Sequence, residues 1–357
     1  MKQFWDYKTQ ETHNLEFEKL YKHFWHFGVH KSEVQNDKDY VVLRSYDFEI
    51  VLYNDFGDIV AFYNACPHRG AALIRTSGNS VEKGNGDIKC LYHGWSYRNK
   101  KLRIGDCKFF KDAKNIDLFK LKTSMCGDFI FFAHDPYCSL DEQLGEFKSQ
   151  IQHISKSISR QIGIIMHLQE ANWKPSIEAF LEFYHIPFVH AQSLQMILPK
   201  IKSVATSGFV ERLEGDLCNT SFNRRMKHVK TMFDSNSFYA EGHINFYLFP
   251  FSFVTSTCGY GYAIQNFFPN TPSQTHFSSR NYHIKLANTP LAEIIEKEFN
   301  YGILEMNEKI YSEDRLAAEM VQKGSGCGMF DFVYHSRDEQ GLPTFHKLYE
   351  KAMKKIK

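Results

Sequence analysis

The chain has 357 residues, and its 43 Lys and Arg nearly balance its 41 Asp and Glu for a formal net charge of +2. That length supports one large or two ordinary domains with their own cores. The two signs of charge are interspersed and no basic block stands out, which argues against a nucleic-acid partner.

From the start of the chain, Leu15, Leu20, Tyr21, Phe24 and Trp25 fall at mostly helical spacing and predict a leading helix over residues 14–29. The first residues lack the apolar run and small-residue cleavage site of a secretory signal. The eight Cys show no regular framework, so a reducing, cytoplasmic setting is expected. The most apolar stretch, 243–268, is interrupted by Asn245, Pro250, Gly259, Gly261 and Gln265. It falls short of the roughly eighteen apolar residues that a membrane helix needs.

The texture changes at Tyr40. Short β-branched and aromatic runs at 40–45, 49–53 and 59–63, separated by turn formers such as Asn54-Asp55-Phe56-Gly57-Asp58, predict an all-β segment. Its last strand is expected at 129–132, and the segment is expected to close near residue 138. Within it lie two matched pieces, Cys66-Pro67-His68-Arg69-Gly70 and Cys90-Leu91-Tyr92-His93-Gly94-Trp95, with 21 residues between His68 and Cys90. Each offers one thiol and one imidazole. Zinc sites of this size usually keep Cys with Cys and His with His. One of each per loop suits a [2Fe–2S] cluster whose first iron takes both Cys and whose second takes both His. The competing readings are a zinc knuckle and four unrelated core side chains.

Beyond residue 140 the pattern predicts a helix over about 141–159, a strand at 164–168 and further strands across 203–285. Thr289-Pro290 predicts the start of another helix, followed by Leu291, Ile294, Ile295 and Phe299. A last helix is expected from Pro343 to the basic end. This second half reads as α+β.

In that half, Glu178, Glu182 and His185 lie at i, i+4 and i+7, which is one face of a helix. His190 follows His185 by five residues, an offset that would turn it away on an unbroken helix. Pro187 between them is expected to break the helix and let the two imidazoles converge. Two His plus one carboxylate make the open facial triad of non-haem Fe(II) sites. Glu182 is the local candidate for the carboxylate, and Asp314 in Glu313-Asp314-Arg315 is the distant one. Asp314 has a plainer reading as the N-cap of a helix ending at Gly324.

Taken together, these motifs resemble the large subunit of Rieske non-haem iron oxygenases, the ring-hydroxylating oxygenase superfamily. The resemblance rests on both Cys-His loops, Asn172-Trp173-Lys174, Glu182-x-x-His185-x4-His190, Glu313-Asp314 with Glu319 and Gln322, and Gly341-Leu342-Pro343-Thr344-Phe345-His346. It spans roughly residues 20–355. It implies an α+β protein: an all-β Rieske domain over 38–138 and a helix-grip type α/β catalytic domain with a central antiparallel sheet over 139–357. A helical segment, 1–37, is expected to pack on the latter.

The resemblance further implies a Rieske [2Fe–2S] cluster on Cys66, His68, Cys90 and His93, and a mononuclear Fe(II) on His185, His190 and Asp314. It casts Glu182 as the carboxylate joining this iron's His185 to His93 of a neighbouring subunit in a cyclic homotrimer. The activity implied is O2-dependent hydroxylation or oxidative demethylation of a small organic substrate, aromatic or amine. Electrons would come from NAD(P)H through a separate flavin or ferredoxin reductase, because no dinucleotide fingerprint is evident in the chain. The alternative is a Rieske electron carrier or a non-catalytic member of the family. Two positions depart from the common pattern: the bridging acid is Glu182 rather than Asp, and Ala179 stands where Asn is common.

Overall fold

A computed structural model of the chain describes residues 2–3, 7–76, 83–105, 107–110, 115–195, 197, 200–287, 289–327, 329, 332–333, 336 and 338–355. Two seven-stranded antiparallel sheets carry it. The first runs, edge to edge, through His26–His30, Phe129–Ala133, Lys120–Cys126, Asp58–Tyr63, Phe48–Asp55, Asp39–Ser45 and Lys83–Asn85. One of its two-residue hairpins joins Asp55 to Asp58 through Phe56 and Gly57, both at positive φ. That is the primed turn whose twist suits flanking strands, and Asn54 Oδ1 accepts a hydrogen bond from Gly57 N at 2.7 Å within it. A small three-stranded sheet, Ile88–Lys89, Ser96–Arg98 and Lys101–Arg103, carries the second Cys-His loop at its first turn.

The helix expected over 14–29 is shorter than its periodicity suggests. An α-helix covers Gln10–Glu16 and a wider π turn continues it over Phe17–Tyr21. His26–His30 is instead a strand paired with Phe129–Ala133. All five of its residues are buried, and an apolar strand buried on both faces is not separable from a helix by pattern alone. This strand places 26–30 in the first sheet rather than in a leading segment that ends at 37.

The second sheet orders Ile158–Gln169, Gln274–Ile284, Gly261–Thr271, Ser252–Thr257, His243–Leu248, Val210–Asp216 and Lys200–Ser207. A strand was expected only over 164–168; the pairing with Gln274–Ile284 extends it to twelve residues. A 35-residue helix, Pro290–Gly324, lies across this sheet. Leu291, Ile295 and Phe299 lie outside the described side chains, and Ile294 is exposed. The final helix covers Leu342–Lys355. Among the described residues no helix is long and apolar enough to cross a membrane.

One buried ion pair ties the ends of the chain to the centre. Asn172 caps the helix Trp173–Phe180 by accepting from Lys174 N. Glu16, on the first helix, then accepts from Lys174 Nζ at 2.5 Å, Trp173 Nε1 at 2.9 Å and Tyr349 OH at 2.7 Å. The side chains of Glu16 and Lys174 are both fully buried. Around them Trp173 meets Phe251 and Phe345 edge on, with centroids 5.0 and 5.9 Å apart. Removing one partner of such a pair leaves an uncompensated buried charge, so Lys174→Met should cost about 3–5 kcal/mol of stability. A thermal or urea melt of the variant checks this; an unchanged midpoint would contradict the lock.

Candidate metal centres and substrate cavity

The two Cys-His loops share one backbone design. Gly70 N donates to Cys66 O and Gly94 N to Cys90 O, at 2.8 and 2.9 Å, while Cys66 N and Cys90 N donate to Ala71 O and Trp95 O, each at 2.8 Å. Both turns need a positive φ at the glycine, +74° at Gly70 and +73° at Gly94, a region without penalty only for glycine. The tips face each other: the rings of His68 and His93 are 4.5 Å apart between centroids, and His68 stacks on Trp95 at 4.7 Å. Cys66 and Cys90 are buried, whereas His93 is exposed.

The donor set fits a two-iron cluster. His68 Nδ1 is buried with no hydrogen-bond partner, a vacancy that proteins normally avoid and that an iron bond would fill. Burial pushes the Cys66 thiol up, against the backbone N–H groups of His68 and Arg69 that pull it down, and the nearby Cys90 thiol adds to the rise. Loading a metal here would therefore release protons.

The second constellation forms where the chain leaves the helix Trp173–Phe180. The helix stops at Phe180, ahead of Pro187, which instead sits in the first turn of a short helix, Ile186–Val189. Glu182 therefore does not share a helical face with Glu178 and His185; it lies in the connecting turn and organises it. Its Oε2 accepts from the backbone N–H of Tyr184, and from that of His185 at 3.1 Å, while His185 Nδ1–H donates to Oε1 at 2.5 Å. One carboxylate so fixes both the turn and the ring.

Asp314 lies within the helix Pro290–Gly324, ten residues before its end, and not at an N-cap. That helix is docked onto the segment before Trp173 by Gln322 Oε1, which accepts from Asn172 N at 2.9 Å, and by Glu319 Oε1, which accepts from Glu170 N at 3.1 Å. Asp314 Oδ1 thereby comes 2.9 Å from His190 Nε2 and 3.6 Å from His185 Nε2. One ligand atom from each of His185, His190 and Asp314 lies within 4.8 Å of the other two.

Glu313 has a part that the sequence reading missed. His190 Nδ1–H donates to Glu313 Oε2 at 2.7 Å, and Ser193 Oγ donates to the same oxygen at 2.6 Å. Both imidazoles thus spend Nδ1 on a carboxylate and turn Nε2 toward Asp314, the usual outer arrangement of metal-binding histidines. Burial works to lower the His190 pKa, but Asp314 and Glu313 outweigh it and hold it above the ordinary value. The point between the three side chains therefore favours positive charge. Adjacent acids, Glu313-Asp314, were the available signal: on a helix, neighbours point about 100° apart and can grip one imidazole from two sides.

A cavity of about 500 Å³ opens onto this triad. Its walls are mostly apolar, with Phe183, Leu194, Phe222 and Met226 among them, and Ala179 leaves space where a larger amide would stand. A larger, more open cleft near Tyr46, Glu49 and His134 contains none of the three.

A two-sheet protein with paired Cys-His loops and a His-His-Asp cluster is the architecture of a Rieske oxygenase large subunit. Residues 165–355 match the ring hydroxylating alpha subunit (catalytic domain) family, and residues 24–120 match the Rieske [2Fe-2S] domain. The chain belongs to the ring-hydroxylating alpha-subunit family of Rieske non-haem iron oxygenases. The cofactors that accompany the two matched domains are a [2Fe–2S] cluster and a mononuclear iron.

Similarity to the carnitine monooxygenase oxygenase subunit of Escherichia coli (strain K12) is 24% identity over 367 residues, covering 98% of this chain and 92% of that one. The 2-halobenzoate 1,2-dioxygenase large subunit of Burkholderia cepacia is 28% identical over 193 residues, 50% of this chain and 40% of its own. Several of the curated relatives are matched over only about half their length or less. A crystal structure of the quaternary ammonium Rieske monooxygenase CntA with an inhibitor shares the fold, with a TM-score of 0.78 at 20% identity over 97% of this chain and 93% of that one.

Glu313→Gln should weaken retention of a metal at His185, His190 and Asp314 by about 10–100-fold. Titration with Fe(II), read by equilibrium dialysis, checks this. The visible spectrum of the cluster serves as an internal control that should not change, and unaltered iron affinity would remove Glu313 from the site.

Proposed function

We propose that this protein is the oxygenase component of a Rieske-type system that hydroxylates or oxidatively demethylates a small organic molecule in the cavity. The observation that carries the reading is the convergence of His185, His190 and Asp314 on one point in the wall of that cavity. In this reading Cys66, His68, Cys90 and His93 hold the [2Fe–2S] cluster, and His185, His190 and Asp314 hold the Fe(II). When bound, these groups supply the electron transfer and O2 reduction that side chains cannot. The protein's own part is to fix both imidazoles through Glu182 and Glu313, to exclude bulk water with apolar walls, and to hold the substrate beside the triad.

Glu182 is also the proposed contact between subunits of a homotrimer. Exposed apolar side chains flank both places where the subunits would meet: Leu91 and Tyr92 beside His93 are 80% and 59% exposed, and Tyr184 and Phe188 beside Glu182 are 52% and 74% exposed. Large apolar groups clustered on a surface mark an interaction site. The Glu182 carboxylate, already bound to His185 Nδ1, could accept from the exposed His93 ring of the next subunit. Reducing equivalents would come from NAD(P)H through a separate reductase.

The test is Glu182→Gln. It should keep the cluster spectrum and the iron content but lose most reductase-dependent O2 uptake, since an amide cannot hold the charge that orients His185. Normal uptake by an intact oligomer would refute the bridging role. A wild-type protein that binds iron yet shows no substrate-dependent O2 uptake would refute the oxygenase reading itself.

A further inference from the structure

The cavity's polar groups form one row across the second sheet. Thr255 Oγ1 lies 2.9 Å from Asn245 Oδ1 and 3.2 Å from Gln265 Oε1. Asn245 Nδ2 donates to Phe180 O at 2.8 Å, Gln265 Nε2 donates to Tyr311 OH at 3.1 Å, and Asn307 Nδ2 donates to Asn281 Oδ1 at 2.7 Å. The row is uncharged. It is also not saturated: one hydroxyl proton cannot serve both amide oxygens, and each amide nitrogen has a second N–H. The spare groups are neutral acceptors and neutral donors.

Charge is distributed the other way. Among the described residues lining the cavity there is no Lys and no Arg. His243, which also lines it, is pushed down to about 4 by burial and is neutral at pH 7. A bound Fe(II) would be faced by the carboxylates of Asp314, Glu182 and Glu313, which reach it directly or through the two imidazoles. An organic anion entering this cavity would be stripped of water with no cationic side chain among the described lining residues to meet it, which is unfavourable.

From these two facts together we infer that the substrate carries no anionic group, and that its polar end is a neutral hydrogen-bonding function, such as an amide, hydroxyl or carbonyl, read by Asn245, Thr255 and Gln265. The rest of the molecule is apolar and fills the space near Phe183, Phe222 and Met226. This rests on the oxygenase reading of the same site. It singles out Thr255 and Gln265 as specificity residues, because a site built to hydrogen-bond a polar group discriminates sharply against ligands that cannot make the bond.

The experiment is calorimetric titration of anaerobic, iron-loaded protein at pH 7 with matched ligands: benzamide, benzoate and phenyltrimethylammonium, then the same three end groups on an eight-carbon alkyl chain. The amide should bind about tenfold or more tighter than the carboxylate of the same skeleton. In the double variant Thr255→Val, Gln265→Leu that preference should shrink to about threefold or less. Carboxylates binding as well as amides, the ammonium compounds binding best, or no member of either set binding, would each overturn the inference. Binding is read without turnover, so the outcomes separate. Amide binding with no O2 uptake on any compound would defeat the oxygenase reading and leave this one standing. O2 uptake driven by a carboxylate substrate would do the reverse.

Discussion

The contact between His190 and Asp314 closes the candidate metal site. It joins residues 124 apart in sequence, and no local preference of the chain brings them together. It exists because the helix Pro290–Gly324 is pinned near its far end by Gln322 and Glu319 to the segment that precedes Trp173. That segment is in turn locked by the buried Glu16–Lys174 pair to both ends of the chain. The candidate metal site is thus carried on elements held by polar contacts, of which Glu16–Lys174 and Asn172–Gln322 are buried.

The same economy governs charge. Two imidazoles and one carboxylate point at a common centre, and a second carboxylate stands behind each imidazole. The arrangement is strongly biased toward a cation at the centre and against an anion in the cavity. The proposed affinity for iron and the proposed character of the ligand beside it therefore rest on one charge distribution. Ala179 and the row Asn245–Thr255–Gln265 then set the free space and its hydrogen-bonding character.

What the sequence revealed depended on how locally each feature is written. The Cys-His loops were legible because their chemistry requires Cys66 to His68 and Cys90 to His93 within a few residues, and the glycines that follow serve the turns. The pairing of His185 with His190 was legible for the same reason, although the break in the helix was assigned to Pro187. The chain in fact leaves the helix at Phe180, where Glu182 caps its own turn, a side-chain-to-backbone competition that carries no strong pattern. Asp314 looked equally like an N-cap because the helix ahead of it could not be measured from periodicity alone. The strand His26–His30 was hidden because aromatic residues around it mimic a helical stripe. The role of Glu313 and the polar row of the cavity arise only from tertiary placement.

One chain is proposed to hold two separate iron centres, with Asp314 belonging to only one of them. Iron and acid-labile sulfide per chain, measured in the wild type and in Asp314→Ala, test it most directly. Three irons and two sulfides are expected in the wild type, two irons in the cluster and one at the mononuclear site. In the variant a single iron should be lost, with the sulfide and visible spectrum unchanged. Two irons in the wild type, or loss of the chromophore in the variant, would contradict it.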